Sequence, residues 1–220
     1  MKVDLRLYAL LDPQRCGAFS LPDIARSVIA GGATLVQLRD KTRSTREIIE
    51  EARAIKGVMA VSGVPLLIND RVDIALACGA DGVHIGQDDM SVADARALLG
   101  ADRIIGLSIK TMKEARTAPV DMLDYVCIGG VFATTSKDNP NPPIGIDGLI
   151  ARASVLRERA PNLAIGAIAG IDETNAQSVM QTGVDGVAVI SALSMADDPA
   201  RAARRLRTIV DGAHRSASAR

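Results

Sequence analysis

Gly79-Ala-Asp-Gly-Val-His84 joins a helical run to a strand, and the joint recurs along the chain. Gly31-Gly-Ala-Thr-Leu-Val36 and Gly183-Val-Asp-Gly-Val-Ala188 have the same shape, and Leu123-Asp-Tyr-Val-Cys-Ile128 repeats it without the glycine. A glycine at that place suits a helix C-terminus, where the chain turns through the left-handed region. A helix-to-strand joint that recurs in this way implies regular alternation of strand and helix, and hence a parallel sheet.

Working outward from these joints, short apolar runs give eight expected strands: Arg6–Leu11, Thr34–Leu38, Pro65–Ile68, Gly82–Ile85, Ile104–Ile109, Tyr125–Ile128, Leu163–Ile168 and Gly186–Ile190. Between them, stretches such as Ser44–Ala60, Ser91–Leu99, Thr111–Ala118, Asp147–Arg159 and Asp172–Gln181 carry the apolar spacing of amphipathic helices. Asp23, Ser44, Ser91, Thr111 and Asp172 stand where an N-cap is useful. Eight parallel strands in 220 residues predict an α/β fold, a compact (β/α)8 TIM barrel. The alternative is a doubly wound open sheet. No strand is followed by G-x-G-x-x-G, which weakens its dinucleotide-binding version. One barrel domain over residues 1–212 is expected, with a frayed small and polar tail at 213–220. Gly129–Gly145, GGVFATTSKDNPNPPIG, is the one irregular insertion, and a loop of that length in a compact domain is usually functional.

Composition narrows the function classes. The chain has 26 basic and 26 acidic residues, so neither nucleic acid nor an acidic membrane is expected as a partner. Aromatics are 2%, which leaves almost no stacking platform for single-stranded nucleic acid. The longest uncharged stretch, Gly57–Asn69, has 13 residues and contains Pro65. A spanning helix needs roughly 18 or more. Cys16, Cys78 and Cys127 fit no metal spacing or disulfide framework and are expected to be reduced packing residues of a cytoplasmic protein. Two histidines exclude a His-rich zinc site, and His84 reads as a satisfied residue of the core or its surroundings. A homo-oligomer is left open.

In such barrels the active site lies at the C-terminal strand ends. The second strand ends in Gln37-Leu38-Arg39-Asp40-Lys41, and residues two apart share a face. Gln37, Arg39 and Lys41 then bring two cations together, and a diphosphate between them would relieve the repulsion. The bland alternative is a solvated strand end. Asn69-Asp70-Arg71 and Gly86-Gln-Asp-Asp89 end the third and fourth strands. Asp70 and Asp89 are candidate ligands for one hard cation, Mg2+; the alternative is a helix cap and a turn. Ser108 ends the fifth strand, and the sixth loop offers Thr134, Thr135, Ser136 and Lys137 as a phosphate cradle. Gly170, Ile190 and Ser191 close the circuit on the seventh and eighth strands. Lys110 is expected to face the surrounding shell or the loop. Two anion-binding regions result, suited to two phosphorylated groups brought face to face.

The segments VQLRDK, PLLINDRVDIALACGADGVHIGQDD, IIGLSIKT, DYVCIGGVFATTSK, AIAGI and GVDGVAVISAL resemble the thiamine phosphate synthase family, in order and spacing, through nearly the whole chain. The resemblance implies condensation of a hydroxymethylpyrimidine diphosphate with a thiazole phosphate, giving thiamine phosphate and pyrophosphate by a dissociative route assisted by Mg2+. It implies that Gln37 through Lys41, Asn69, Ser108 and Lys137 bind the pyrimidine diphosphate. Arg39, Lys41, Ser108 and Lys137 would carry the chemistry, Asp70 and Asp89 the metal, and Thr134, Thr135, Ser136, Gly170, Ile190 and Ser191 the thiazole phosphate. Lys110 stands where that family commonly has histidine, Gly130 and Ala133 where it has proline, and Ala169 where it has the first of two glycines; Asn139–Pro143 looks enlarged. A thiazole tautomerase of the same fold and a non-catalytic barrel that binds a phosphorylated ligand are the rival readings.

Overall fold

A computed structural model describes residues 3–136 and 142–218. Eight strands, β1 (Leu7–Leu11), β2 (Leu35–Leu38), β3 (Leu66–Asn69), β4 (Gly82–Ile85), β5 (Ile104–Ile109), β6 (Tyr125–Ile128), β7 (Ala164–Ile168) and β8 (Gly186–Val189), close into one barrel in chain order. Every neighbouring pair is parallel, including β1 with β8. This is the (β/α)8 barrel expected from the recurrent joints, with strand ends within a residue of those read from the apolar runs. The helices around it are α1 (Leu21–Ala30), α2 (Thr45–Met59), α3 (Val72–Cys78), α4 (Val92–Leu99), α5 (Met112–Thr117), α6 (Gly145–Arg159), α7 (Ala176–Met180), α8 (Ser191–Ser194) and α9 (Pro199–Ser218).

Local chemistry explains most of these ends. Ser44 and Thr111 open α2 and α5 with reciprocal capping boxes to Glu47 and Glu114, and Ser91 caps α4. Ser20, not Asp23, caps α1, and Asp23 sits three residues on with its carboxylate against the Ser20 hydroxyl at 2.6 Å. The helix expected from Asp172 begins at Ala176, because the Asp172 carboxylate takes the Thr174 N–H and hydroxyl at 2.8 and 2.6 Å and spends the first residues on a turn. α9 continues to Ser218, so most of the segment expected to fray is helical. No helix among the described residues is long and apolar enough to cross a membrane.

The recurrent joint has a second duty. Gly79 and Gly183 do take positive φ, and the aspartate two residues later reaches back to the preceding strand. Asp81 accepts the Leu66 N–H at 2.8 Å, Asp124 the Ile105 N–H at 2.8 Å and Asp185 the Ile165 N–H at 2.7 Å. In the Gly31 joint it is Gly32 that takes positive φ, and Thr34 does the stapling with its hydroxyl 3.1 Å from the Leu7 N–H. These staples stand at the N-terminal rim.

Alternation along each strand separates two apolar layers. Val36, Leu38, Ile68, Val83, Ile105, Val126, Ile165 and Val187 face the helices. Tyr8, Leu10, Leu35, Leu67, Tyr125, Cys127, Ala164 and Ala188 fill the barrel interior. Cys127 is enclosed there, and burial pushes its thiol up to about 12. It is a packing residue, as the cysteine spacing suggested, and all three cysteines are free.

Candidate active site

The inward-facing phase of the strands continues beyond the packed interior and opens into a cavity at the C-terminal rim. Gln37, Arg39, Asn69, His84, Ser108, Gly170, Ile190 and Ser191 line it, together with Thr134 and Ser136 of the sixth loop. Most of the residues picked from strand ends therefore meet at one place. Leu38 points the other way, into the layer beneath the helices. Asp40 is also turned aside: its buried carboxylate accepts the Thr42 and Arg43 N–H groups at 2.9 and 3.1 Å and pairs with the Arg43 guanidinium. Thr135 offers its carbonyl to Arg15 at 2.5 Å, which ties the sixth loop to the first. Lys137 lies outside the described residues.

The cations are not bare. The Arg39 guanidinium pairs with Asp12, which is 3% exposed. Lys41 Nζ stands 2.8 Å from Asp70 Oδ2. The Asp89 carboxyl lies near that of Asp70 and accepts the Gly86 N–H at 2.7 Å. Burial raises the Asp89 pKa above its ordinary value, the Gly86 N–H offsets part of that rise, and the Asp70 carboxyl adds to it. Asp70 itself sits at φ +62°, a left-handed conformation that costs a non-glycine residue about 1 kcal/mol or more. Two cations thus face three carboxylates, and the mutual repulsion of Arg39 and Lys41 expected from the sequence is already relieved by Asp12 and Asp70.

Two buried polar atoms at the floor of the cavity have no partner among the described residues: the Gln37 Oε1 acceptor and the Asn69 Nδ2 donor. Leaving such an atom unpaired costs about 1–3 kcal/mol, so a ligand edge with a donor beside an acceptor would fit them. Gln37 Nε2 is engaged, donating to the Tyr8 hydroxyl. His84 is satisfied, as expected, by the Tyr125 hydroxyl at 2.7 Å and the Ser108 hydroxyl at 2.9 Å.

The opposite wall is built from hydroxyls and backbone. Ser136 and Ser191 meet at 3.1 Å between their Oγ atoms, so the sixth and eighth loops touch across the cavity. Phe132 N–H donates to the Ala169 carbonyl at 3.0 Å, which lays the sixth loop on the seventh. A Cβ on Gly170 would stand 2.4 Å from the Ala133 carbonyl oxygen, so only glycine permits that approach.

Of the two places expected for Lys110, the outer shell is wrong: it lines the cavity beside Gly129 and Gly130, at the start of the sixth loop. Counting in twos from the inward Ser108 reaches Lys110, so the signal was present in the strand phase. Its ammonium has no hydrogen-bond or ion-pair partner among the described residues. Asp12, Tyr8 and Tyr125 were also not singled out; each lies on a different strand or loop from the residue it holds.

The profile of the family described as thiamine monophosphate synthase matches residues 7–193. The thiamine-phosphate synthase of Agrobacterium fabrum is 50% identical over 212 residues, 96% of each chain. That of Chloroflexus aurantiacus is 47% identical over 94% of each. Among solved structures, the thiamine phosphate pyrophosphorylase of Pyrococcus furiosus superposes with a TM-score of 0.83 at 34% identity, covering 96% of this chain and 98% of its own. The barrel, the cavity at its C-terminal rim and these full-length matches agree, and the chain belongs to the thiamine monophosphate synthase family.

Proposed function

We propose that this chain is a thiamine-phosphate synthase. It joins 4-amino-2-methyl-5-(diphosphooxymethyl)pyrimidine to 4-methyl-5-(2-phosphoethyl)thiazole, and pyrophosphate leaves. The observation that carries the reading is the charged cluster of Arg39, Lys41, Asp70 and Asp89 beside a cavity with two unpaired buried polar atoms. The exocyclic amine and ring nitrogen of the pyrimidine offer the donor and acceptor that Gln37 Oε1 and Asn69 Nδ2 lack.

The charge balance supports a metal. Arg39 and Lys41 are each already paired with a carboxylate, so among the described residues only Lys110 brings an unneutralised cation to the cavity, too little for a diphosphate. Among the described residues no group of three or more His, Cys, Asp and Glu side chains could hold an ion alone. Mg2+ suits that limit, since it commonly takes one or two carboxylates and completes its shell with water and substrate phosphates. Asp70 and Asp89, near enough that the Asp70 carboxyl opposes ionisation of Asp89, would hold it. Bound there, Mg2+ would supply Lewis-acid neutralisation of the departing diphosphate.

The remaining steps fall to the chain's own groups. Arg39, Lys41 and Lys137 grip the diphosphate, with Ser108 donating to it, so that the carbon–oxygen bond breaks toward a stabilised anion. The pyrimidine keeps the resulting cation. Thr134, Thr135, Ser136, Gly170, Ile190 and Ser191 fix the thiazole phosphate so that the ring nitrogen lies in line with that carbon. No protein nucleophile is required, and the Cys127 thiol stays protonated inside the barrel. Both substrates, and neither nucleic acid nor a lipid surface, are the partners. The test is pyrophosphate release by the purified protein: it is expected only with both substrates and Mg2+, and Asp70→Ala is expected to abolish it while the circular dichroism spectrum is retained. No release with both substrates sinks the reading, and thiazole tautomerisation alone would replace it with the tautomerase.

A further inference from the structure

We propose that Tyr8 and Tyr125 are positioning residues: they carry a one-way chain of hydrogen bonds across the barrel that sets Gln37 as an acceptor and Ser108 as a donor toward the ligand. The chain runs Gln37, Tyr8, Tyr125, His84, Ser108. Gln37 Nε2 donates to the Tyr8 hydroxyl, the two phenol oxygens are 2.9 Å apart, Tyr125 Oη is 2.7 Å from His84 Nδ1, and His84 Nε2 is 2.9 Å from Ser108 Oγ.

Its direction follows from counting protons. Burial pushes both phenols far above their ordinary range, so each keeps its hydrogen. Tyr8 already accepts from Gln37, so its own hydrogen goes to Tyr125, and the Tyr125 hydrogen goes to His84 Nδ1. The neutral imidazole then carries its proton on Nε2 and donates it to Ser108 Oγ. Ser108 is left with a free O–H, and Gln37 with the unpartnered Oε1. The opposite polarity would need the Gln37 amide reversed and His84 protonated at Nδ1, and it would leave Ser108 with no proton for an anionic oxygen.

The rings are held for this task. Tyr8 and Tyr125 meet edge to face at 5.8 Å, and Tyr125 stacks on His84 at 5.5 Å. The Tyr125 ring crosses β5 where Gly106 leaves room: a Cβ there would stand 2.0 Å from Tyr125 Cζ. The kinetic part of the inference rests on the placement of Gln37 and Ser108 against the pyrimidine diphosphate.

Two measurements test it. With only two histidines in the chain, 15N-labelled protein reports the ring of His84 directly, and His214→Asn assigns it. Neutral His84 is expected as the Nε2–H tautomer, and Tyr125→Phe is expected to shift the unprotonated Nδ1 as it loses its donor. Finding the proton on Nδ1, or no Nδ1 change in Tyr125→Phe, overturns the direction of the chain whether or not the synthase reading holds. In kinetics, Tyr8→Phe and Tyr125→Phe are each expected to raise KM for the pyrimidine diphosphate about ten-fold and leave KM for the thiazole phosphate unchanged. The double variant is expected to be no worse than Tyr125→Phe alone, because both cut one chain. Equal changes in both KM values, no change in either, or fully additive losses overturn the positioning role. Should Tyr125→Phe not fold, Tyr8→Phe alone carries the same kinetic test. No turnover by the parent protein would instead count against the function.

Discussion

The same added methyl group should have opposite signs at two glycines of this barrel. At Gly106 a Cβ would stand 2.0, 2.3 and 2.4 Å from Cζ, Cε1 and Oη of Tyr125, and the ring has nowhere to go, since it is fully buried between Tyr8 and His84. Ordinary contact begins near 3.4 Å, so the ring must retreat by more than 1 Å. Overpacking of this kind costs about 1–3 kcal/mol. The retreat also breaks the bonds of the Tyr125 hydroxyl to Tyr8 and His84, and buried polar atoms left unpaired add about 1–3 kcal/mol. A total of about 2–6 kcal/mol is a large share of the whole stability of a domain, about 5–15 kcal/mol. At about 2–4 °C per kcal/mol for a chain of this size, Gly106→Ala should lower the melting temperature by roughly 10 °C. Gly57 lies exposed within α2 with nothing within 4 Å of its would-be Cβ. There alanine should stabilise by about 0.5–1 kcal/mol through helix propensity alone. Thermal denaturation of the two variants beside the parent is the assay. If Gly106→Ala melts within a degree or two of the parent, the placement of the Tyr125 ring, and the hydrogen-bond chain that runs through it, is wrong.

Ala169 sits at φ +97°, a strain of about 1–3 kcal/mol for a residue with a Cβ, and the glycine that relieves it loses about 0.4–1 kcal/mol in chain entropy. Ala169→Gly should therefore stabilise by about 1 kcal/mol, seen as a small rise in melting temperature; a fall would refute the strain. Burial opposes ionisation of Asp40, but the Thr42 and Arg43 N–H groups and the Arg43 guanidinium overcome it and hold its pKa below 3.8. A lowered folded-state pKa contributes stability that is fully present above the unfolded value and is lost as pH falls from there through the folded value. Denaturant titrations below about pH 4 should thus show a shallower loss in Asp40→Asn than in the parent, and identical slopes would refute the assignment. Lys110→Ala removes an ammonium that has no partner among the described residues and should raise KM for a phosphorylated substrate about ten-fold with little change in melting temperature; unchanged kcat/KM for both substrates would refute its role.

What could be read in advance divides by the range of the interactions. β4, β5 and β6 were legible to the residue because turns and charged residues bound each apolar run, and the capping boxes of α2 and α5 are written in residues three apart. Asp172 misled because its carboxylate serves a turn as readily as a helix, and only the fold decides which. The strand phase brought Gln37, Asn69, Ser108 and Ser191 to one cavity without any knowledge of distances. The partners of the cations were not legible. Asp12 and Arg39 are 27 residues apart and meet only because β1 and β2 pair side by side. Asp70 likewise takes a left-handed conformation and lies near Asp89 of the next strand end, neither of which sequence spacing records.

The staples at the N-terminal rim bear on how such a barrel can change over time. Asp81, Asp124 and Asp185 each tie the start of one strand to the start of the strand before it, at the end of the barrel opposite the cavity. Closure is thus secured by groups that never meet substrate. Strand ends and loops at the other rim can be exchanged without loosening these seams. Every second seam, β1–β2, β3–β4, β5–β6 and β7–β8, carries its own side-chain fastener, so the rim that binds ligands can be rebuilt while these pairs stay joined at the other end.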